Sequence, residues 1–75
     1  MMDNRLKEIR IQRGMTISEL ARRSELSRIT ISNIENKKSN PTQSTIVAIS
    51  SALGKNPTEI FFSVLYTMIY SGKGG

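Results

Sequence analysis

Apolar residues return along this chain at helical intervals, and five amphipathic segments follow from them. Leu6, Ile9 and Arg10 share one stripe at i, i+3, i+4 spacing with Arg5, Lys7 and Glu8 off it, which predicts a helix over about residues 4–13. Gly14, just past the last periodic position, ends it. Leu20 and Ala21 supply the inner face of a second helix that begins after Thr16. There Thr16-Ile17-Ser18-Glu19 has the form of a capping box: the Thr16 hydroxyl accepts from the Glu19 N–H, and the Glu19 carboxylate reaches back to Thr16. Ile31 and Ile34 form the inner stripe of a third helix, which Ser27 caps. Ile46, Ile49 and Leu53 face inward on a fourth, over about 43–53, between Thr42 as its cap and Gly54 as its stop. Asn56-Pro57-Thr58-Glu59 opens a fifth, with Pro at the first helical position and Ile60 and Phe61 behind it.

The second and third segments stand only a short turn apart. Ser24, Glu25 and Leu26 make that turn, and Leu26 plugs the space between two helices that cross closely at the small Ala21. Two short capped helices joined in this way form a helix-turn-helix, over about 17–36. Its second helix, about 28–36, is the kind that enters a DNA major groove. With Ile31 and Ile34 turned inward, Arg28, Ile29, Ser32 and Asn33 remain on the outer face. Residues 36–41 form a polar, basic loop, in which Pro41 holds Asn40 out of the helical region.

Composition narrows the chemistry. The chain has 75 residues, one small domain of a size that buries only about 60% of its unfolded surface. It has no cysteine and no histidine, which removes disulfides, thiolate metal sites, the usual general base and the Ser-His and Cys-His nucleophile pairs. No Gly-rich phosphate loop is present, and the glycines of 72–75 read as a frayed end. No enzyme, cofactor, metal or small-molecule ligand is expected. The net charge is +5, and nine of the eleven Lys and Arg fall within the first forty positions, which favours a polyanionic partner. The charged, amphipathic N-terminus is unlike a secretory leader. The apolar run over 60–70 is shorter than the roughly 20 residues that a bilayer span needs. A cytoplasmic, nucleoid-associated protein without membrane contact is expected.

From residue 6 to residue 61 the chain resembles the Cro/CI-type (XRE-like) helix-turn-helix domains of phage repressors and bacterial regulators. The likeness rests on Arg10, Gly14-Met15-Thr16, Glu19-Leu20-Ala21, Leu26-Ser27, Ile31-Ser32, Ile34-Glu35, Asn40-Pro41, Ala52-Leu53-Gly54 and Glu59-Ile60-Phe61, in the order and spacing of that family. It implies an all-α, five-helix, lambda-repressor-like DNA-binding domain over 4–62, and the residues beyond, 63–75, read as an apolar helical extension and flexible tail. It also implies a homodimer on a two-fold symmetric operator, and a partly buried ion pair between Arg10 and Glu35 that locks the first helix onto the third. Three positions depart from the family pattern. Ile17 stands where many members carry a Gln that helps bind phosphate. Glu25 occupies a turn position where Gly is common, and the cost of a left-handed non-Gly residue, about 1–2 kcal/mol, favours a different turn there. Lys37 replaces a Gly that often follows the recognition helix, so Asn36 is expected to take the left-handed role and leave Lys37 and Lys38 as paired cations. The small size and the tail are also similar, more weakly, to the controller proteins of restriction–modification systems.

On this frame Arg28 can fork onto guanine O6 and N7, Ile29 can meet a thymine methyl, and Asn33 can bond adenine N6 and N7. Ser32 is expected at a base as well, although its hydroxyl, like that of Thr30, suits either base or phosphate. Phosphate contacts are expected from the N–H groups of Thr16 and Ile17, from Ser27 and Thr30, and from Lys37, Lys38 and Asn40. The run over 61–70 carries all four aromatics of the chain. As a helix it puts Phe62, Leu65, Tyr66, Ile69 and Tyr70 on one face, and Phe61, Val64 and Met68 on another. Exposed, so much apolar surface is a liability, and packing across a two-fold axis would bury it. A dimer helix is the favoured reading. Burial on the domain's own core and a swapped strand, which the β-branched Val64, Thr67 and Ile69 suit, stay open. The expected function is a sequence-specific, double-stranded-DNA-binding transcriptional regulator, a repressor, working as a homodimer on a pseudo-palindromic operator. RNA polymerase is a further candidate partner. The alternative is an antitoxin-like or anti-repressor protein-interaction module with the same fold.

Overall fold

A computed structural model describes residues 3–70, and the expected glycine-rich end at 72–75 lies outside them. The fold is all-α: helices α1 (Leu6–Gln12), α2 (Ile17–Ser24), α3 (Arg28–Glu35), α4 (Gln43–Leu53) and α5 (Pro57–Tyr70), with no strand among the described residues. Leu6, Ile9, Leu20, Ala21, Ile31, Ile34, Ile46, Ile49, Leu53, Ile60 and Phe61 are buried as their spacing predicts, and Val64 joins them. Helix α2 packs on both α3 and α4, α5 packs on α4, and α1 bridges α3 and α5. Leu26 packs partly buried against this core.

Helix α1 is shorter than its periodicity suggests because its first residues are tied elsewhere. The Asn4 amide accepts from the Leu6 N–H at 3.0 Å and donates to the Ile34 carbonyl at 3.1 Å, while the Arg5 N–H donates to the Ile60 carbonyl at 2.8 Å. These bonds dock the start of α1 onto the ends of α3 and α5. Gly14, at φ +71°, closes the helix in a conformation that side chains resist.

The caps of α2, α3 and α4 form: Thr16, Ser27 and Thr42 accept from the N–H groups of Glu19, Thr30 and Thr45. The reciprocal half of the capping box does not. The Glu19 carboxylate turns to Arg23, one helical turn along, at 2.9 Å, and leaves the Thr16 N–H alone. Two more expectations need correction. Glu25 adopts the left-handed conformation (φ 59°, ψ 39°) despite its side chain, because Leu26 must bond back to the Ala21 carbonyl for the next helix to begin. Lys37, and not Asn36, is left-handed after α3. Asn36 stays near helical at φ −89°, while Lys37 at φ 59° lets the Lys38 N–H return to the Asn33 carbonyl.

Helix α5 includes the described part of the apolar extension, residues 63–70. It is kinked at Phe61 (φ −123°, ψ 36°). Val64 is buried beside Phe61, and Leu65 packs partly buried on the core, away from the exposed face of Phe62, Tyr66, Ile69 and Tyr70 on which its spacing places it. Met68, predicted on the face of Phe61 and Val64, is 41% exposed. The segment is helical through Tyr70, which removes the swapped-strand reading. No described helix is long and apolar enough to cross a membrane.

Candidate nucleic-acid interface

Helix α3 is held from both ends, and this decides what it presents. At its C-terminal end the Arg10 guanidinium donates to Glu35 twice, Nε to Oε2 at 2.6 Å and Nη2 to Oε1 at 3.2 Å, and Nη1 donates to the Met15 carbonyl at 2.8 Å. The side chains of the pair are 10% and 4% exposed. Arg10 is thus a strut between α1, α3 and the entry to α2. At the other end Ser27 caps the helix, and its hydroxyl shares a 2.8 Å hydrogen bond with that of Thr30.

Between these anchors Ile31 and Ile34 are driven into the core, and the opposite side of α3 is left open. Arg28 is exposed, Ile29 is 73% exposed, and Ser32 and Asn33 are half-buried. Ser32 accepts from the Asn36 amide at 3.3 Å. The sole acid of α3 is the buried Glu35, so the outer face carries no carboxylate. The carboxylates whose pKa is displaced lie on other helices. Glu8 is held below its usual range by hydrogen bonding to and the charge of Arg5, and Glu59 by the same effects from Lys55.

The face continues into a cleft of about 610 Å³ between the N-terminus of α2 and α3, lined by Arg10, Thr16, Ile17, Ser18, Arg28, Ile29 and Ser32. The N–H groups of Ile17 and Ser18 belong to the first turn of α2, which has no acceptor within its own helix and carries the positive end of the helix dipole. The cleft thus has an arginine, hydroxyls, free N–H groups and two isoleucines around one opening. Such a set can bond an anion at one edge and meet a polar group bearing a methyl at the other.

Not every expected contact gathers there. Lys38 and Asn40 are exposed in the loop beyond α3, but Lys37 is half-buried and lines a separate cleft of about 370 Å³ with Asn4, Lys7, Ile11 and Glu35. The tail residues form their own surface on α5. Phe62, Tyr66, Ile69 and Tyr70 are 53–70% exposed, and the rings of Phe62, Tyr66 and Tyr70 step along the helix with centroids 6.0 and 4.7 Å apart. Ser18 is the residue that sequence reasoning missed. It reads there as the third member of a capping box, whereas in the fold its hydroxyl accepts from Arg28 Nη1 at 3.3 Å. Among the described residues no acidic, His or Cys cluster suited to a metal ion occurs.

A helix-turn-helix family model matches residues 6–60. The chain belongs to the helix-turn-helix family. Within it, the immunity repressor protein of Bacillus phage phi105 is 42% identical over 50 residues, 67% of this chain. That alignment spans only 35% of the phage protein's length. The crystal structure of the restriction-modification controller protein C.AhdI from Aeromonas hydrophila superposes with a TM-score of 0.71 at 31% identity, over 73% of this chain and 83% of that one. The wild-type controller protein C.Esp1396I superposes with a TM-score of 0.67 at 36% identity, over 85% of this chain and 82% of that one. In this helix-turn-helix chain the motif itself is α2, the Glu25 turn and α3, and α1, α4 and α5 are the frame that aims it.

Proposed function

We propose that this helix-turn-helix protein is a sequence-specific, DNA-binding transcriptional regulator acting on the nucleoid as a homodimer, with repression as its outcome. The observation that carries the reading is the outer face of α3, which has an arginine, an isoleucine and two hydrogen-bonding side chains, lacks a carboxylate, and borders the N-terminus of α2. Arg28, Ile29, Ser32 and Asn33 read bases in the major groove. The N-terminal turn of α2 at Thr16 and Ile17, together with Ser27, Thr30, Lys37, Lys38 and Asn40, holds phosphates and sets the register. Two copies pair through Phe62, Tyr66, Ile69 and Tyr70, with Leu65 at the edge of the contact. Their α3 helices then enter successive grooves about 34 Å apart on a pseudo-palindromic site. RNA polymerase is the further partner that such a site would exclude or recruit.

Selection from a randomised duplex library at near-physiological salt tests this reading. The expected product is an inverted repeat with half-sites about one helical turn apart, bound with an affinity that falls steeply with salt. Absence of any enriched sequence would overturn base readout. The exposed aromatic row of α5 would then favour the protein-interaction module as the function.

A further inference from the structure

Arg28 stands at the first turn of α3 with one of its nitrogens already engaged. Nη1 donates to Ser18 Oγ at 3.3 Å, and both residues line the cleft between α2 and α3. The other cation of that cleft, Arg10, is neutralised by Glu35. Arg28 is thus its one cation with no carboxylate partner among the described residues. Ser18 is a fixed point, because α2 is capped by Thr16 and anchored in the core by Leu20 and Ala21. A guanidinium is a rigid planar fork of five N–H donors. A single bond to Ser18 leaves a two-pronged edge free and sets the plane in which that edge lies. A hydroxyl does this without cancelling the charge, as a carboxylate at the same place would.

We propose that Ser18 is a positioning residue for base recognition: it orients the Arg28 guanidinium toward a base edge and so contributes to sequence preference without touching DNA itself. This deepens the DNA-binding reading above and rests on it. A free arginine samples many rotamers and loses them on docking, and a tether on α2 removes part of that loss before DNA arrives. A hydrogen bond on this exposed surface corresponds to about a two- to tenfold effect on a binding ratio. The arginine–guanine fork that it supports corresponds to about 5- to 150-fold.

The test uses the duplex selected by the full chain, and its single-base variants, titrated against the wild type, Arg28→Ala, Ser18→Ala, Ser18→Thr and the double variant Ser18→Ala with Arg28→Ala. Arg28→Ala locates the half-site position that depends on Arg28. Ser18→Ala is expected to lower discrimination at that same position by about two- to tenfold, with the salt slope and melting temperature unchanged. Ser18→Thr keeps the hydroxyl and is expected to restore discrimination. In the Arg28→Ala background, Ser18→Ala is expected to change nothing further. A uniform loss across all sequences with a reduced salt slope would put Ser18 on a phosphate and overturn the proposal. An equal effect of Ser18→Ala in both backgrounds, or an unchanged preference, would overturn it as well. Failure of the wild type to select any sequence, or an Arg28→Ala profile identical to the wild type, would remove the base-readout role of Arg28 and that of Ser18 with it. Enrichment by the wild type, with a preference that depends on Arg28 but not on Ser18, would remove only the role of Ser18.

Discussion

Arg10 carries a charge into the interior, where the cost of desolvation is offset only because all three guanidinium nitrogens find oxygen acceptors on Glu35 and Met15. Arg10→Ala strands Glu35 as a buried, unpaired carboxylate and is expected to destabilise the fold by about 3–5 kcal/mol, read from urea unfolding. Its effect on DNA binding should follow from that loss of fold and should vanish where the variant is fully folded. Ser50 presents the opposite case. Its hydroxyl is buried on α4 and has no hydrogen-bond partner among the described residues. An unpaired buried hydroxyl costs about 1–3 kcal/mol, so Ser50→Ala is expected to raise stability by about 1 kcal/mol. A lower unfolding midpoint would show that the hydroxyl is satisfied after all.

Two elements of the motif end in left-handed residues that are not glycine, Glu25 after α2 and Lys37 after α3. Each carries strain, and replacing either by Gly relieves it at the cost of greater freedom in the unfolded chain, for a net gain of about 0.5–1 kcal/mol. The two variants should differ in function. Glu25→Gly is expected to raise the melting temperature and leave DNA affinity at the wild-type level or slightly above, since it also removes a negative charge. Lys37→Gly is expected to raise the melting temperature while weakening DNA binding, because strain has been retained there together with a cation. Equal affinities for Lys37→Gly and the wild type would take Lys37 off the phosphate backbone, as would suit its place in the second cleft.

Charge divides the molecule. Between residues 41 and 70 the charged side chains are Lys55 and Glu59, which pair with each other at 3.3 Å, so the net positive charge of the described chain lies on α1, α2, α3 and the loop beyond. One half of the domain is suited to a polyanion, and the other has no net charge and is edged with exposed aromatics, the face proposed above for a second copy. Lys38→Ala is expected to weaken binding about equally for every sequence and to lower the slope of log affinity against log salt by about one. A changed base preference would put the loop nearer the groove than the backbone. Tyr66 packs between Phe62 and Tyr70 on the exposed side of α5, so Tyr66→Glu places a carboxylate in the centre of the aromatic row without entering the core. It is expected to give folded monomers by sedimentation and to weaken operator binding. Intact dimers would assign the dimer contact to another face.

Helix positions, three of the caps and the core of α1 to α4 were legible in the order of residues, because each depends on neighbours within a turn: Thr16 on Glu19, Ser27 on Thr30, Ile31 on Ile34. The outer face of α3 was legible for the same reason, since naming the buried stripe names the open one. Where a residue answers to partners distant along the chain, local reading failed. Asn4 and Arg5 leave α1 for carbonyls of α3 and α5. Nearer by, residue type alone misplaces the left-handed position, since the bond from Lys38 back to Asn33 puts it at Lys37 and not at Asn36. Leu65 stands at the edge of its predicted face and packs partly on a core that other helices supply. Ser18 and Arg28 stand ten residues apart on different helices, and no period or cap connects them. Their contact exists only because α2 and α3 cross at a fixed angle over Leu20, Ala21 and Ile31, which places one hydroxyl under one guanidinium.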